Sequence, residues 1–299
     1  MTEMSVVIAT KDRAPFLRRA LESLMLQHDP PKFETIVVDN GSTDDTPGVV
    51  AQAVERAPFE LRRIAVPQPN RARARNAGIE QAHGAVVLFV DDDVWLPEHF
   101  LQAHRRRHNG ADWRAVSGPI INVASYEENP RPSAANYSKA FFVTCNVSIP
   151  KRALQEVGGF DEGFDLYGWE DTELGVRLRD ARIERVFAWD AFLYHIKPPE
   201  AETLEAAIRK TTEKAQMAAR FVRKQPSRRI RLATGAYSLN LWRAKVVAPL
   251  LPLYAGIASS ARVPRGLAAF ARAQLLDGVY VERLRRELRS LHADSDRSA

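Results

Sequence analysis

Ala85-Val86-Val87-Leu88-Phe89-Val90-Asp91-Asp92-Asp93 decides how the rest of this chain is read. The six apolar residues read as a strand buried on both faces, the kind found in parallel sheets. Three adjacent carboxylates repel one another, so a fold that keeps them together at a strand end must offset that repulsion. A divalent cation with oxygen ligands would do so, and ligands of open α/β sheets gather at the carboxyl ends of strands. An acidic loop capping a helix that starts near Pro97-Glu98 accounts for the same residues without a ligand. Both readings stand at this point.

Outward from this run, strands and helices alternate. Ser5–Thr10, Phe33–Val38 and Leu61–Val66 read as strands. Ala14–Gln27 carries Phe16, Leu17, Leu21, Leu24 and Met25 at a helical period, and Pro47–Arg56 and Arg71–Gln81 read as two further helices. Asn40-Gly41-Ser42-Thr43-Asp44-Asp45-Thr46 is turn and N-cap chemistry. The series βαβαβαβ predicts an α/β fold with a mainly parallel, Rossmann-like sheet flanked by helices. From about Ala115 to Pro198, short apolar pieces (Ala115–Ser117, Phe141–Val147, Arg185–Ala188) predict a mixed continuation of the same sheet. The expected organisation is a domain over 1–200 in two halves (1–114 and 115–200), followed by a helical extension over 201–299.

Charge divides the chain at the same place. The net charge is +6, yet residues 1–202 hold 24 Lys and Arg against 30 Asp and Glu, while 203–299 hold 19 against 7. A basic segment of this kind meets an anionic surface or forms a solvated helical face. Glu200–Lys224 predicts a helix. The longest uncharged window beyond it, Val246–Ala261, has 16 residues and contains Pro249 and Pro252. That is short of the ~20 apolar residues of a membrane span. With Tyr237, Trp242 and Tyr254 close to Arg243 and Lys245, it reads either as an element lying in a membrane interface or as a helical hairpin packed on the main domain. Fraying is expected from about Ala293. The single cysteine, Cys145, excludes an intrachain disulfide and fits a reducing compartment. The first residues lack the pattern of a secretory signal, so a cytoplasmic protein is expected, peripheral on the cytoplasmic face of the membrane if the extension docks there.

A second acidic group lies in Gly168-Trp169-Glu170-Asp171-Thr172-Glu173, ahead of the apolar positions Leu174, Val176 and Leu178. Glu170-Asp171 can cap a helix N-terminus, or one of the pair can take a proton from an attacking hydroxyl while Trp169 forms an apolar wall for a sugar ring. His195 is a structural histidine or a metal ligand beside the aspartates.

These segments, taken in order, resemble the family 2 glycosyltransferases of the GT-A fold, over roughly residues 4–200. The resemblance rests on Val6-Val7-Ile8-Ala9-Thr10-Lys11-Asp12-Arg13, Leu21-Glu22-Ser23-Leu24 with Gln27, Ile36-Val37-Val38-Asp39-Asn40-Gly41-Ser42-Thr43-Asp44 and Ala74-Arg75-Asn76-Ala77-Gly78-Ile79. Phe89-Val90-Asp91-Asp92-Asp93 and Gly168-Trp169-Glu170-Asp171 complete it. Asp12 departs from the family, many members of which carry Asn there. The resemblance implies an inverting, metal-dependent transfer of a sugar from a nucleotide diphosphate, most often UDP, to an acceptor hydroxyl in cell-surface glycan or glycolipid synthesis. It implies Thr10, Arg13, Asp39, Arg75, Asp91 and Asp92 as nucleotide-sugar contacts. Asp91 and Asp93, the DxD element, would hold Mn2+ or Mg2+, with His195 as a looser third ligand. Asp171 would be the base, Glu170 its orienting partner and Trp169 an acceptor contact. The implied partners are the donor, a glycan or lipid-linked acceptor and an anionic membrane surface.

Three other classes compete. A nucleic-acid-binding protein would explain the basic tail and His104-Arg105-Arg106-Arg107-His108, but the chain lacks the aromatic and glycine signatures of RNA-binding sheets and any zinc-ligand spacing. A nucleotide-sugar-binding protein without catalysis would not need Glu170-Asp171. A metal-dependent nucleotidyltransferase would share the sheet and the acidic cluster.

Overall fold

The computed structural model describes residues 2–108, 113–198, 203–260 and 262–295. The chain divides into two compact units, one formed by Met1–Asp165 with Glu170–Pro199, the other by Leu166–Trp169 with Glu200–Ala299.

The strands of the first unit are β1 (Met4–Thr10), β2 (Phe33–Asp39), β3 (Glu60–Ala65), β4 (Val86–Val90), β5 (Val94–Trp95), β6 (Arg114–Ser117), β7 (Ile120–Val123), β8 (Asn146–Pro150), β9 (Glu184–Phe187) and β10 (Leu193–Ile196). Its helices are α1 (Ala14–Met25), α2 (Thr46–Arg56), α3 (Arg71–Gln81), α4 (Phe100–Arg106), α5 (Lys151–Glu156) and α6 (Glu170–Asp180). Seven strands form one sheet in the order β3-β2-β1-β4-β8-β6-β9, and β5, β10 and β7 form a second, three-stranded sheet. The first four strands of the large sheet are parallel. β8 runs antiparallel to both neighbours, while β6 and β9 are parallel.

The apolar run at β4 is buried on both faces. Val86, Leu88 and Val90 join Met4, Val6 and Ile8 under α1 and α2, in a core with Leu17, Leu21, Val49 and Val50. Val87 and Phe89 join Val7, Ile36 and Val38 on the opposite face, against Ile79, Leu154, Leu174 and Leu178 of the other helices. Phe89 is closed in by Phe142 and Phe160, both tilted edge-on at centroid distances of 6.0 and 5.6 Å. Burying one such ring contributes about 2–3 kcal/mol.

One expected strand is displaced. Phe141–Val147 does not extend as a piece; the strand starts at Asn146 and continues to Pro150. The ladder explains the shift, because Val90 pairs with Asn146 and β4 ends there. Residues 141–145 therefore have no rung on β4 to occupy, and the Phe142 ring turns into the core instead.

A polar chain crosses the interior between α4 and β8. His104 Nε2 lies 2.9 Å from Asn146 Oδ1, His104 Nδ1 lies 2.8 Å from Ser148 Oγ, and His108 Nε2 lies 2.7 Å from the same hydroxyl. Burial lowers the pKa of His104 from 6.5 to about 3 and that of His108 to about 4, so both imidazoles are neutral in the fold.

The second unit is helical: α7 (Leu204–Lys224), α8 (Arg228–Thr234), α9 (Ser238–Val247), α10 (Leu251–Ser259) and α11 (Arg265–Ser295). α7 starts at Leu204 because the Thr203 hydroxyl caps it, accepting from the Ala206 amide; the expected start at Glu200 lies outside the described residues. α11 continues to Ser295, past Ala293, and residues 296–299 lie outside the described residues. No described helix is long and apolar enough to cross a membrane.

A histidine held neutral contributes stability that is lost as the unfolded chain takes up protons below its own pKa near 6.5. For His108 the window runs from about 6.5 down to about 4. Between pH 7 and pH 5 the loss for this one group is about 2 kcal/mol, at ~1.4 kcal/mol per pKa unit. In denaturant melts at the two pH values, His108→Gln is expected to lose less stability on acidification than the wild type, by about that amount. Equal losses would refute the neutral assignment.

Candidate active site

Strand register assembles the site at the carboxyl ends of β1, β2 and β4. Thr10 pairs with Asp39 at the ends of β1 and β2, and Ile8 pairs with Val90. The residues just past β4 therefore sit beside the end of β1. Thr10 Oγ1 donates to Asp92 Oδ2 at 2.6 Å. The small sheet adds His195, which pairs with Val94 and places Nε2 3.1 Å from Asp93 Oδ1. Across β4, the Val90–Asn146 rung brings Cys145 alongside Asp91. Ligand atoms of Asp91, Cys145 and His195 lie within 4.8 Å of one another.

The three aspartates have separate environments. Asp91 is the most open, with 36% of its side chain exposed, and Arg75 Nη2 is 4.0 Å from its Oδ1. Asp92 turns inward to Thr10, and Arg13 Nε lies 3.3 Å from its other oxygen. Burial pushes the Asp92 carboxyl up to about 7, against the pull of Arg13 and Thr10. Asp93 accepts from Arg13 Nη2 at 2.7 Å. Burial alone would raise its pKa, but the hydrogen bond and charge of His195, together with Arg13, hold it below the ordinary carboxylate range. Arg13 stays partly exposed, its guanidinium 4.8 Å from the centre of the Phe16 ring.

Glu170 and Asp171 open α6, where the orphan amides and the helix dipole favour negative charge. Arg75, buried on α3, donates to Glu170 Oε1 at 2.8 Å. Burial would lower the pKa of Arg75, but Glu170, Asp91 and Asp171 outweigh it and raise it. A single buried guanidinium thus stands between the two acidic groups. Glu170 Oε2 is buried with no hydrogen-bond partner among the described residues. Asp171 accepts from the Thr172 amide at 2.6 Å. Desolvation first, and the neighbouring Glu170 charge second, raise its carboxyl to about 6.

Asp39 is enclosed, receiving the Ser42 amide at 2.9 Å on one oxygen and Arg63 Nη1 at 2.8 Å on the other. Of the arginine run on α3, Arg75 enters the site, whereas Arg73 pairs with Glu162 at 3.0 Å. Trp169 belongs to the second unit, where its indole donates to the Lys214 carbonyl at 3.0 Å and its ring lies 6.0 Å from Phe221. The expected acceptor wall is thus engaged by α7.

Asp91 and His195 come together with Cys145, while Asp93 reaches this group through its contact with His195, and these donors suit a divalent cation. Carboxylate oxygens and an imidazole are the ligands of Mn2+-type sites, and the unpaired Glu170 oxygen marks a surplus of acceptors close by. The residue that sequence reasoning missed is Cys145, which it had read only for redox compartment. Its thiol is buried, and its pKa is pushed well above the usual thiol range by burial and then by Asp91 and Asp93. Only its position one residue before a strand hinted at this, and the antiparallel register that matters is not visible in composition.

Residues 5–160 match the glycosyl transferase family 2 profile, and residues 130–200 match the N-terminal domain of galactosyltransferase. A validoxylamine A glucosyltransferase from Streptomyces hygroscopicus subsp. limoneus is 30% identical over 267 residues, covering 75% of this chain and 57% of that protein. The chain spans about three-fifths of the length of this relative and of a second such glucosyltransferase. Among solved structures, a mannosyltransferase from Pyrobaculum calidifontis in complex with GDP-Man and Mn2+ superposes with a TM-score of 0.64 at 18% identity, covering 96% of this chain and 86% of that one. TarS from S. aureus in complex with UDP-GlcNAc gives 0.55 at 20% identity, covering 96% and 92%. The structures share the GT-A fold, and the profile takes in β1, β2, α3 and the three aspartates that follow β4, so the chain belongs to glycosyl transferase family 2.

Proposed function

We propose that this chain transfers a sugar from a nucleoside diphosphate, UDP in the first instance, to an acceptor hydroxyl, with inversion at the anomeric carbon. The observation that carries this reading is the buried Arg75, set between the Asp91 carboxylate and the Glu170–Asp171 pair. Charge for the diphosphate and a base for the acceptor thereby share one edge of one unit. The relatives supply the context: one is a glucosyltransferase, and the solved neighbours carry GDP-Man with Mn2+ or UDP-GlcNAc.

In this reading the half over 1–114 holds the donor and the half over 115–200 the acceptor. Asp39 accepts from the base edge of the nucleotide, beside Thr10. Arg13 and Arg75 release part of their ion pairing to the diphosphate, as charge-assisted hydrogen bonds. Asp91, Asp93 and His195 would hold Mn2+ or Mg2+, a cation that acts as Lewis acid on the departing diphosphate. Asp171 takes the proton of the attacking hydroxyl, while Glu170, fixed by Arg75, keeps the base oriented and its pKa elevated. The basic, apolar-faced helical unit supports a glycan or lipid-linked acceptor handled at an anionic membrane surface, on the cytoplasmic face.

Incubating the full chain with UDP- and GDP-sugars and Mn2+ tests the reading. Metal-dependent sugar release, abolished by EDTA and restored by Mn2+, is expected. Binding without turnover would indicate a nucleotide-sugar-binding protein, and release of pyrophosphate from a nucleoside triphosphate a nucleotidyltransferase. Asp171→Asn is expected to lower kcat by about 10^2–10^4-fold, the range for a lost general base, with donor affinity by calorimetry nearly unchanged. Wild-type turnover by that variant would remove Asp171 from the reaction. Because the base must be ionised and its carboxyl is raised to about 6, kcat should fall on the acid side of that value, by about tenfold per pH unit. A flat profile down to pH 5 would exclude it as the titrating group.

A further inference from the structure

The helical unit contains a cavity of about 450 Å³ that the sugar-transfer chemistry does not use. Trp242 and Leu241 of α9 supply apolar lining, and Arg231, Lys245, Arg285 and Arg289 contribute four cations. Among the described residues, no carboxylate lines it. Nearby arginines of the same unit are paired: Arg243 with Asp277, Arg283 with Glu287 and Arg286 with Glu282. Among the described residues, none of the four cavity cations has such a partner. Four like charges facing one hollow repel one another, and an anion relieves that repulsion.

What lies beside the cavity indicates the kind of anion. Leu239, Trp242, Val246, Leu250 and Leu253 follow one another at steps of three or four along α9 and into α10, and all are exposed, Leu239 by 72% and Leu253 by 60%. Leu239, Trp242 and Val246 share one face of α9, and Leu250, in the 3-10 turn Ala248–Leu250, and Leu253 of α10 continue the exposed apolar run. An apolar run next to unpaired cations matches an amphiphile with an anionic head, since free phosphate or a nucleotide offers nothing for the run to cover. Neither helix is long enough to cross a bilayer, so the contact is peripheral.

We infer that this cavity is a headgroup site for an anionic membrane phospholipid. The phosphate accepts hydrogen bonds from Arg231, Lys245, Arg285 and Arg289. Trp242 lies at headgroup level, and Leu239, Val246, Leu250 and Leu253 face the acyl region. The inference rests on the membrane reading above and adds to it a defined site.

The test is co-flotation of the full chain with phosphatidylcholine vesicles, with and without phosphatidylglycerol. Binding only to the anionic vesicles is expected, with Trp242 fluorescence quenched by brominated acyl chains and that quenching lost in Trp242→Phe. Arg285→Ala with Arg289→Ala should weaken partition about 30-fold, from ~1 kcal/mol per cation. The charge-matched pair Arg228→Ala with Arg229→Ala, outside the cavity, should lose under about fivefold, because the surface potential felt by cations that do not hold the headgroup is screened within a Debye length. Unchanged helical circular dichroism and thermal melting show that the variants fold. Equal losses in the two pairs would overturn the headgroup site and leave membrane docking by diffuse charge. Indifference of the wild type to both kinds of vesicle would overturn both readings. A full Trp242 shift with inorganic phosphate alone would make the cavity a soluble-anion site and overturn the lipid assignment.

Discussion

The repulsion among Asp91, Asp92 and Asp93 is the constraint on which the first unit depends. The fold divides it rather than screening it from solvent. Asp92 is drawn inward by Thr10 and Arg13, and its elevated pKa lets it shed part of its charge. Asp93 is held ionised between Arg13 and His195. Asp91 keeps most of the remaining exposure, with Arg75 at 4.0 Å. Each partner arrives from a different element, so β1, α1, α3 and β10 all have to be in register before the acidic loop can close. Strand order that puts β1 in the middle of the four parallel strands is what makes this possible.

The parallel half of the fold was legible because each of its strands announces itself within a few residues. Ala85–Val90 could be read as buried on both faces, and Asp39 and Thr10 could be set at strand ends, since period and turn chemistry are local. The part beyond residue 115 was legible only in outline. Its strands are four or five residues long and pair with partners distant in the chain, β6 with β9 and β7 with β10. No local pattern encodes such pairings. Cys145 was missed for that reason: its place beside Asp91 follows from the antiparallel rung between Val90 and Asn146.

Within the candidate site, residue types foretold chemistry better than they foretold orientation. Asp91 and His195 come together with Cys145, and Asp93 touches His195, past the carboxyl ends of the strands. Asp92 was indistinguishable from its neighbours until the register with Thr10 turned it inward. Trp169 shows the opposite case, a residue whose type suggested a sugar platform but whose indole N–H is engaged by the Lys214 carbonyl. Helix α7 was visible in composition; its reach back to that indole was not.

The polar chain behind β8 has a fixed polarity. The Asn146 amide nitrogen donates to the Pro119 and Ala191 carbonyls, so its oxygen faces His104 and must accept. His104 therefore carries its proton on Nε2 and offers a bare Nδ1, which only the Ser148 hydroxyl can satisfy by donating. Having spent its one proton there, Ser148 accepts from His108 Nε2. His108 Nδ1 is left as a buried lone pair without a partner among the described residues. Every hydrogen in this row points the same way along it, from His108 through Ser148 and His104 to Asn146. The row is thus a frozen dipole with one tautomer per ring, and it can tie helix to sheet but cannot relay a proton.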